Sequence, residues 1–179
     1  MIIKPQKNME LDLYVDADFC GLYKQEEDTD PMVARSRSGY VITLGGCPVI
    51  WKSSLQKCAT LSTLEAEYVA LSDALKNFLP IKRLLSEMLT RIGGHALDGA
   101  TIRATVFEDN QGCYYLATRH QVTNRTRYFL ARYHWFWEAY DQREFDVVKC
   151  PTDQQVADYL TKQLPRDKFE ANRKSLQGW

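Results

Sequence analysis

The stretch from Gly39 to Leu79 constrains this chain most. Gly39–Leu44 (GYVITL) and Pro48–Lys52 (PVIWK) flank Gly45, Gly46 and Cys47. Two β-prone runs around a glycine turn predict a hairpin. A short link, 53–59, leads to TLSTLEAEYVALSDAL at 60–75. There Leu64, Tyr68, Leu71 and Leu75 recur at helical spacing and form one apolar stripe. Ser62 and Glu65 have the spacing of a capping box, which places the helix start at Ser62. The periodicity reaches Leu79. Pro80 has no backbone N–H, so it predicts a kink or a second helix over 80–91, ended by Gly93 and Gly94.

Upstream, residues 1–10 read as a lead-in. Leu11, Leu13 and Val15 alternate with Asp12, Tyr14 and Asp16, predicting a strand over 11–19. Asp16 and Asp18 share one side of it. The polar, proline-containing run 21–36 reads as a surface loop. Downstream, 102–107 reads as a fourth strand and 111–118 as a helix. Residues 127–142 carry Tyr128, Phe129, Tyr133, Trp135, Phe136, Trp137 and Tyr140, predicting one helix with aromatics round much of its circumference. A fifth strand over 145–150 follows. Thr152 with Gln155 predicts a capping box opening a helix over 153–162, and Pro165 opens a last helix to about Leu176. This order predicts an α/β fold: a five-stranded mixed sheet with helices on both faces.

The 179 residues are enough for one domain with a real core. Lys plus Arg number 23 and Asp plus Glu 23, so net charge points to no nucleic-acid partner, but its distribution does. From Asn110 to Trp137 there is no acid, while Arg119, Arg125, Arg127 and Arg132 are present. Glu26, Glu27, Asp28 and Asp30 crowd one loop. A neutral total thus conceals a basic face. Cys20, Cys47, Cys58, Cys113 and Cys150 form no CxxC pair, which argues against a disulfide framework or a zinc site and for a reducing compartment. No apolar run reaches the length of a membrane span, and the start lacks the apolar core of a signal peptide. His95, His120 and His134 share no short motif.

The chemistry-bearing residues are carboxylates on separate elements. Asp16 ends the first strand, Asp109 follows the fourth, Glu65 and Glu67 stand in the first turns of the long helix, and Asp158 sits in a late helix. In a mixed sheet, neighbouring strand ends and the adjacent helix start make one cleft. Carboxylates converging there repel unless cations sit between them. All-oxygen donors select hard cations such as Mg²⁺ or Mn²⁺. Two such ions about 3.5–4 Å apart are the device for in-line displacement at a phosphodiester. The residues alone leave other readings open: Glu65 and Glu67 also answer the helix dipole, and Asp158 also reads as a solvated helix carboxylate.

Four blocks occur in order: YVDADFCG; RSRSGYVITLGGCPVIWKSSLQKCATLSTLEAEYVALSDAL; FEDNQG; and NRTRYFLARYHWFWEAYDQREFDVVKCPTDQQVADYLTKQLP. Together they resemble the ribonuclease H domain at the C-terminal end of the Pol polyprotein of copia-type retrotransposons. The resemblance implies a ribonuclease H-like fold over 11–164, a C-terminal helical extension over 165–179, and a lead-in from the upstream polymerase over 1–10. It implies a two-metal hydrolase that cuts the RNA strand of RNA–DNA hybrids with Mg²⁺ (or Mn²⁺). The carboxylates it implies are Asp16 in VDAD, Glu65 in STLEAEY rather than Glu67, Asp109 in EDNQ and Asp158 in VADYLTK. Its implied partners are the hybrid and the upstream reverse transcriptase, with no membrane. The implied location is an intracellular replication particle or the nucleus. The chain departs from the pattern at TNRTRYFLARYH, where related elements read close to HSRTKHIDIRYH, and residues 151–157 lack the loop histidine of cellular ribonucleases H.

A hybrid is close to A-form, with a wide minor groove showing 2′-hydroxyls. Ser62, Asn110 and Gln111, at strand and helix ends, suit those hydroxyls. Arg125 and Arg127, with Arg132, suit phosphates. The aromatics at 133–140 read as core rather than as platforms for bases. Two rivals stand beside this reading. One is a catalytically silent domain docking on a reverse transcriptase. The other is a DNA integrase or junction nuclease on the same fold.

Overall fold

The computed structural model describes residues 10–22, 30–92, 102–124 and 126–178. The expectations for 1–9, Glu26, Glu27, Asp28, Gly93, Gly94, His95 and Arg125 lie outside them.

Five strands form one sheet: β1 (Glu10–Asp18), β2 (Arg37–Leu44), β3 (Cys47–Leu55), β4 (Arg103–Glu108) and β5 (Asp146–Lys149), in the order β3-β2-β1-β4-β5. β1 pairs antiparallel with β2 and parallel with β4, and β4 pairs parallel with β5. The sheet is therefore mixed, as the element order predicts. The β2–β3 turn places Gly45 at φ 56° and Gly46 at φ 75°, conformations glycine adopts without a Cβ clash.

Leu11, Leu13, Val15 and Ala17 face one side of β1, level with Tyr40 and Ile42 on β2 and Ala104 and Val106 on β4. The helix α1 (Thr63–Ile92) covers this face. Its Leu71, Leu75 and Phe78 are fully buried there, while Ala66, Ala70 and Ala74 let it approach closely. Burying one such large side chain contributes about 1.5–3 kcal/mol. α1 runs through Pro80 as one helix, so no second helix begins there. Pro80 and Lys76, whose carbonyl loses its N–H partner, are both exposed, so the missing bond falls on the solvent side of the helix.

α2 (Gln111–Arg119) follows β4. The aromatic run is not one helix. It divides into α3 (Arg127–Tyr133), a 3-10 turn at His134–Phe136 and α4 (Trp137–Asp141). Three adjacent rings find three partners across this turn. Trp135 Nε1 donates to Ser72 Oγ at 2.9 Å, Phe136 packs 5.5 Å from Tyr68, and Trp137 stacks 4.5 Å from His120.

The expected helix over 153–162 is also broken. Thr152–Gln154 is a 3-10 turn and α5 is only Asp158–Thr161. Gln155 does not cap a helix. It is fully buried, and its Nε2 donates to the carbonyls of Val15 at 2.9 Å and Phe107 at 3.3 Å. The β1–β4 pairing ends at Tyr14 and Phe107. The Gln155 amide thus satisfies carbonyls that the parting strands no longer pair.

α5 packs on the second face of the sheet, against β2 and β1. α6 (Arg166–Gln177) joins it beside β3, with Phe169 4.9 Å from Tyr159. Helices thus cover both faces. Gly39 on β2 allows the approach of α5: a Cβ there would lie 2.6 Å from Thr161 Cγ2 and 2.9 Å from Leu160 Cβ.

Candidate active site

β1 and β4 are parallel neighbours, so their C-terminal ends lie side by side and bring Asp16 and Asp109 together. The first turns of α1 lie over the same end and add Glu67. Carboxylate oxygens of Asp16, Glu67 and Asp109 all lie within 4.8 Å of one another. Asp16 is fully buried, Glu67 is buried and Asp109 is half-buried. The cluster opens on a cleft of 460 Å³ bordered by Asp18, Thr63, Asn110, Thr152 and Lys162.

The structure brings Glu67, not the expected Glu65, to Asp16 and Asp109. Glu65 Oε2 accepts the Leu61 N–H at 2.9 Å, and Ser62 Oγ accepts the Glu65 N–H at 3.1 Å. The capping spacing in the sequence is thus realised as a cap, which engages both Ser62 and Glu65. The helical phase was the available signal: Glu67 lies three residues after Leu64 and four before Leu71, on the stripe that faces inward.

Asp158 is fully buried but lies outside the three-carboxylate group. Lys162 links it to Asp16. Its Nζ lies 2.7 Å from Asp158 Oδ1 and 2.8 Å from Asp16 Oδ1. Lys168 Nζ donates to Asp158 Oδ2, and Thr161 Oγ1 donates to Asp16 Oδ2.

The electrostatics follow from burial. Desolvation raises the Asp16 carboxyl above its usual range, although Lys162 and Thr161 pull against it. Burial pushes Glu67 well up, and Glu108, Asp16 and Asp109 add repulsion. Glu108, which no motif reading singled out, is fully buried behind this cluster, and burial pushes it up to about 8. Its Oε1 accepts the Asn110 N–H at 3.0 Å. Burial disfavours the charged form of Lys162, but Asp16 and Asp158 outweigh this and hold it above the usual lysine range.

Two buried carboxylate oxygens, Glu67 Oε2 and Glu108 Oε2, have no hydrogen-bond partner among the described residues. Such atoms carry the full desolvation penalty. The donor set is all oxygen, anionic and crowded, which fits a hard divalent cation.

Of the other expected contact residues, Asn110 borders the cleft, whereas Gln111 and Arg127 do not line it. Asn110 caps α2, its Oδ1 accepting the Cys113 N–H at 3.0 Å. Gln111 is exposed and donates to Tyr115 Oη at 3.1 Å. Arg127 is exposed, with its guanidinium 4.9 Å from the Tyr128 ring centroid.

No protein-family model matches the chain. Over 157 residues it is 37% identical to the retrovirus-related Pol polyprotein from transposon TNT 1-94 of Nicotiana tabacum, which covers 88% of this chain and 10% of the polyprotein. Its backbone is similar to that of RNase H1 from the archaeon Halobacterium salinarum NRC-1, with TM-score 0.53, 18% identity, and coverage of 85% of this chain and 94% of that one. The chain is a ribonuclease H-fold relative of the transposon Pol polyproteins. This ribonuclease H-fold domain spans about a tenth of the length of the curated relatives it matches. It is also similar to LC11-RNase H1 in complex with an RNA/DNA hybrid, with TM-score 0.51, 17% identity, and coverage of 85% of this chain and 94% of that one.

Proposed function

We propose that this domain hydrolyses the RNA strand of RNA–DNA hybrids, with divalent cations held by Asp16, Glu67 and Asp109 and bordered by Asp158. The observation that carries the reading is the buried three-carboxylate cluster at the parallel strand ends of a ribonuclease H fold. Mg²⁺ is the cation of choice for these donors, and Mn²⁺ an alternative. When bound, such ions lower the pKa of an attacking water and stabilise the leaving oxygen. The protein's own part is to hold the four acids at one end of the sheet, with burial and neighbouring charge making a cation their preferred partner.

Substrate selection falls to the rim. Asn110 borders the cleft beside Asp109, where a minor-groove 2′-hydroxyl would lie, and Gln111 follows it at the exposed start of α2. Ser62 contributes by setting the start of α1, since its hydroxyl holds the helix N-terminus. Arg127 and Arg132, exposed on α3, supply positive charge for phosphates. Arg125 belongs to the same basic run in the sequence. In a Pol polyprotein, the partners of this domain are the hybrid and the reverse transcriptase of the same chain.

The test is cleavage of a hybrid labelled on each strand, with Mg²⁺ or Mn²⁺, comparing the native protein with Asp109→Asn. Cutting confined to the RNA strand, and lost with EDTA and with the variant, is the expected result. A folded protein that cuts neither strand in either metal, alone or joined to its polymerase domain, would overturn the proposal. So would equal cutting of duplex DNA.

A further inference from the structure

Lys162 holds a position that the carboxylate cluster alone does not explain. Its ammonium bridges two buried acids from different elements, Asp16 on β1 and Asp158 on α5, at 2.8 and 2.7 Å. Two anions this deeply buried need a cation between them, and Lys162 is that cation. It lies four residues after Asp158, so the helix keeps the two side chains adjacent. Asp16 also belongs to the group with Glu67 and Asp109, so one carboxylate is shared between the lysine and the proposed metal site.

We propose that Lys162 is a resident counter-cation, and that a divalent ion bridging Asp16 and Asp158 enters only by displacing its ammonium group. The inference rests on the reading of this cluster as a cation site.

Three features make the displacement feasible. Lys168 donates to the other oxygen of Asp158, so Asp158 keeps a partner when Lys162 leaves. The Lys162 side chain is 34% exposed, so its head has a route to water. It also lines a second groove of 760 Å³, shared with Asp18 and the Ser53 side of β3, where Asp18 offers a half-exposed carboxylate. A cation held by Asp16 and Asp158 would compete with Lys162 for both acids, and a substrate phosphate would supply negative charge that offsets that competition.

The experiment needs no turnover. The native protein is treated with an amine-acylating reagent with and without saturating Mn²⁺, and modification is read site by site by mass spectrometry. Exposed Lys76, paired with Asp73, is the internal control. Lys162 modification rises about tenfold with Mn²⁺ while Lys76 stays constant. Calorimetric titration with Mn²⁺ gives the second readout: Lys162→Met gains a second ion or binds it about tenfold more tightly than the native protein. Mn²⁺ bound with Lys162 reactivity unchanged overturns this inference and leaves the proposed function standing. No Mn²⁺ bound at all overturns both. If Lys162→Met does not fold, the labelling of the native protein still decides.

Discussion

Glu65 and Glu67 stand two positions apart on α1 and do opposite things. Glu65 Oε2 takes the Leu61 N–H at 2.9 Å, whereas Glu67 is buried against Asp16 and Asp109. At 3.6 residues per turn, two positions lie roughly 200° apart around the helix axis. One carboxylate therefore closes the helix end and the other faces the sheet.

The two acids are separable by mutation. Glu67→Gln keeps size and removes charge, and lowers hybrid cleavage by roughly a hundredfold or more, beyond the 10–100-fold typical of outer partners of a metal site. Glu65→Ala leaves cleavage within about threefold and lowers stability by about 1 kcal/mol through the lost cap. Paired cleavage assays and denaturant melts check this, and the reverse pattern would return the role to Glu65.

Glu108 makes stability depend on pH. Its folded-state carboxyl is pushed up to about 8 from 4.5. A raised acid favours the fold while it is protonated. Its contribution is complete below the unfolded value and is lost as pH rises through the folded one. In EDTA, the denaturant midpoint therefore falls as pH rises from 4.5 to 8. Glu108→Gln, neutral throughout, flattens that fall. A variant with the native pH profile would exclude Glu108 as its source.

Gly39 controls how closely α5 sits on the sheet. An added Cβ meets Thr161 Cγ2 at 2.6 Å and the Ala157 carbonyl at 3.4 Å. Gly39→Ala pushes α5 outward at a cost of about 1–3 kcal/mol and carries Asp158 and Lys162 with it. Cleavage falls more than stability alone explains when both are measured below the melting transition. Full activity in the variant would show that α5 need not lie close.

Gln155 ties the loop before α5 to the sheet. Gln155→Leu keeps much of the volume but leaves the carbonyls of Val15 and Phe107 without its amide, and so destabilises by about 1–3 kcal/mol. Equilibrium urea unfolding measures this. A neutral effect would mean the two carbonyls find other donors.

The fold was largely legible because its signals are local. The Gly45–Gly46 turn, the alternation around Leu13 and the stripe from Leu64 to Leu75 each lie within one element, where periodicity reports directly on burial. The misread elements lie where distant partners decide. Gln155 resembles a capping residue until the parting of β1 and β4 gives its amide two carbonyls. The aromatic run resembles one helix until Ser72, Tyr68 and His120 draw adjacent rings in three directions.

For the candidate site, the sequence by itself determined which acids were available and which elements carry Asp16 and Asp109, because strand ends can be read along the chain. Only the tertiary structure decided that Glu67 completes the group, that Glu108 is buried behind it and that Lys162 joins Asp16 to Asp158. These depend on the rotation of α1 over β1 and on the seating of α5 against Gly39. Helix rotation and docking are set by packing between residues far apart in the chain, such as Asp16 with Glu67 and Asp16 with Lys162, and short-range patterns carry no record of such contacts.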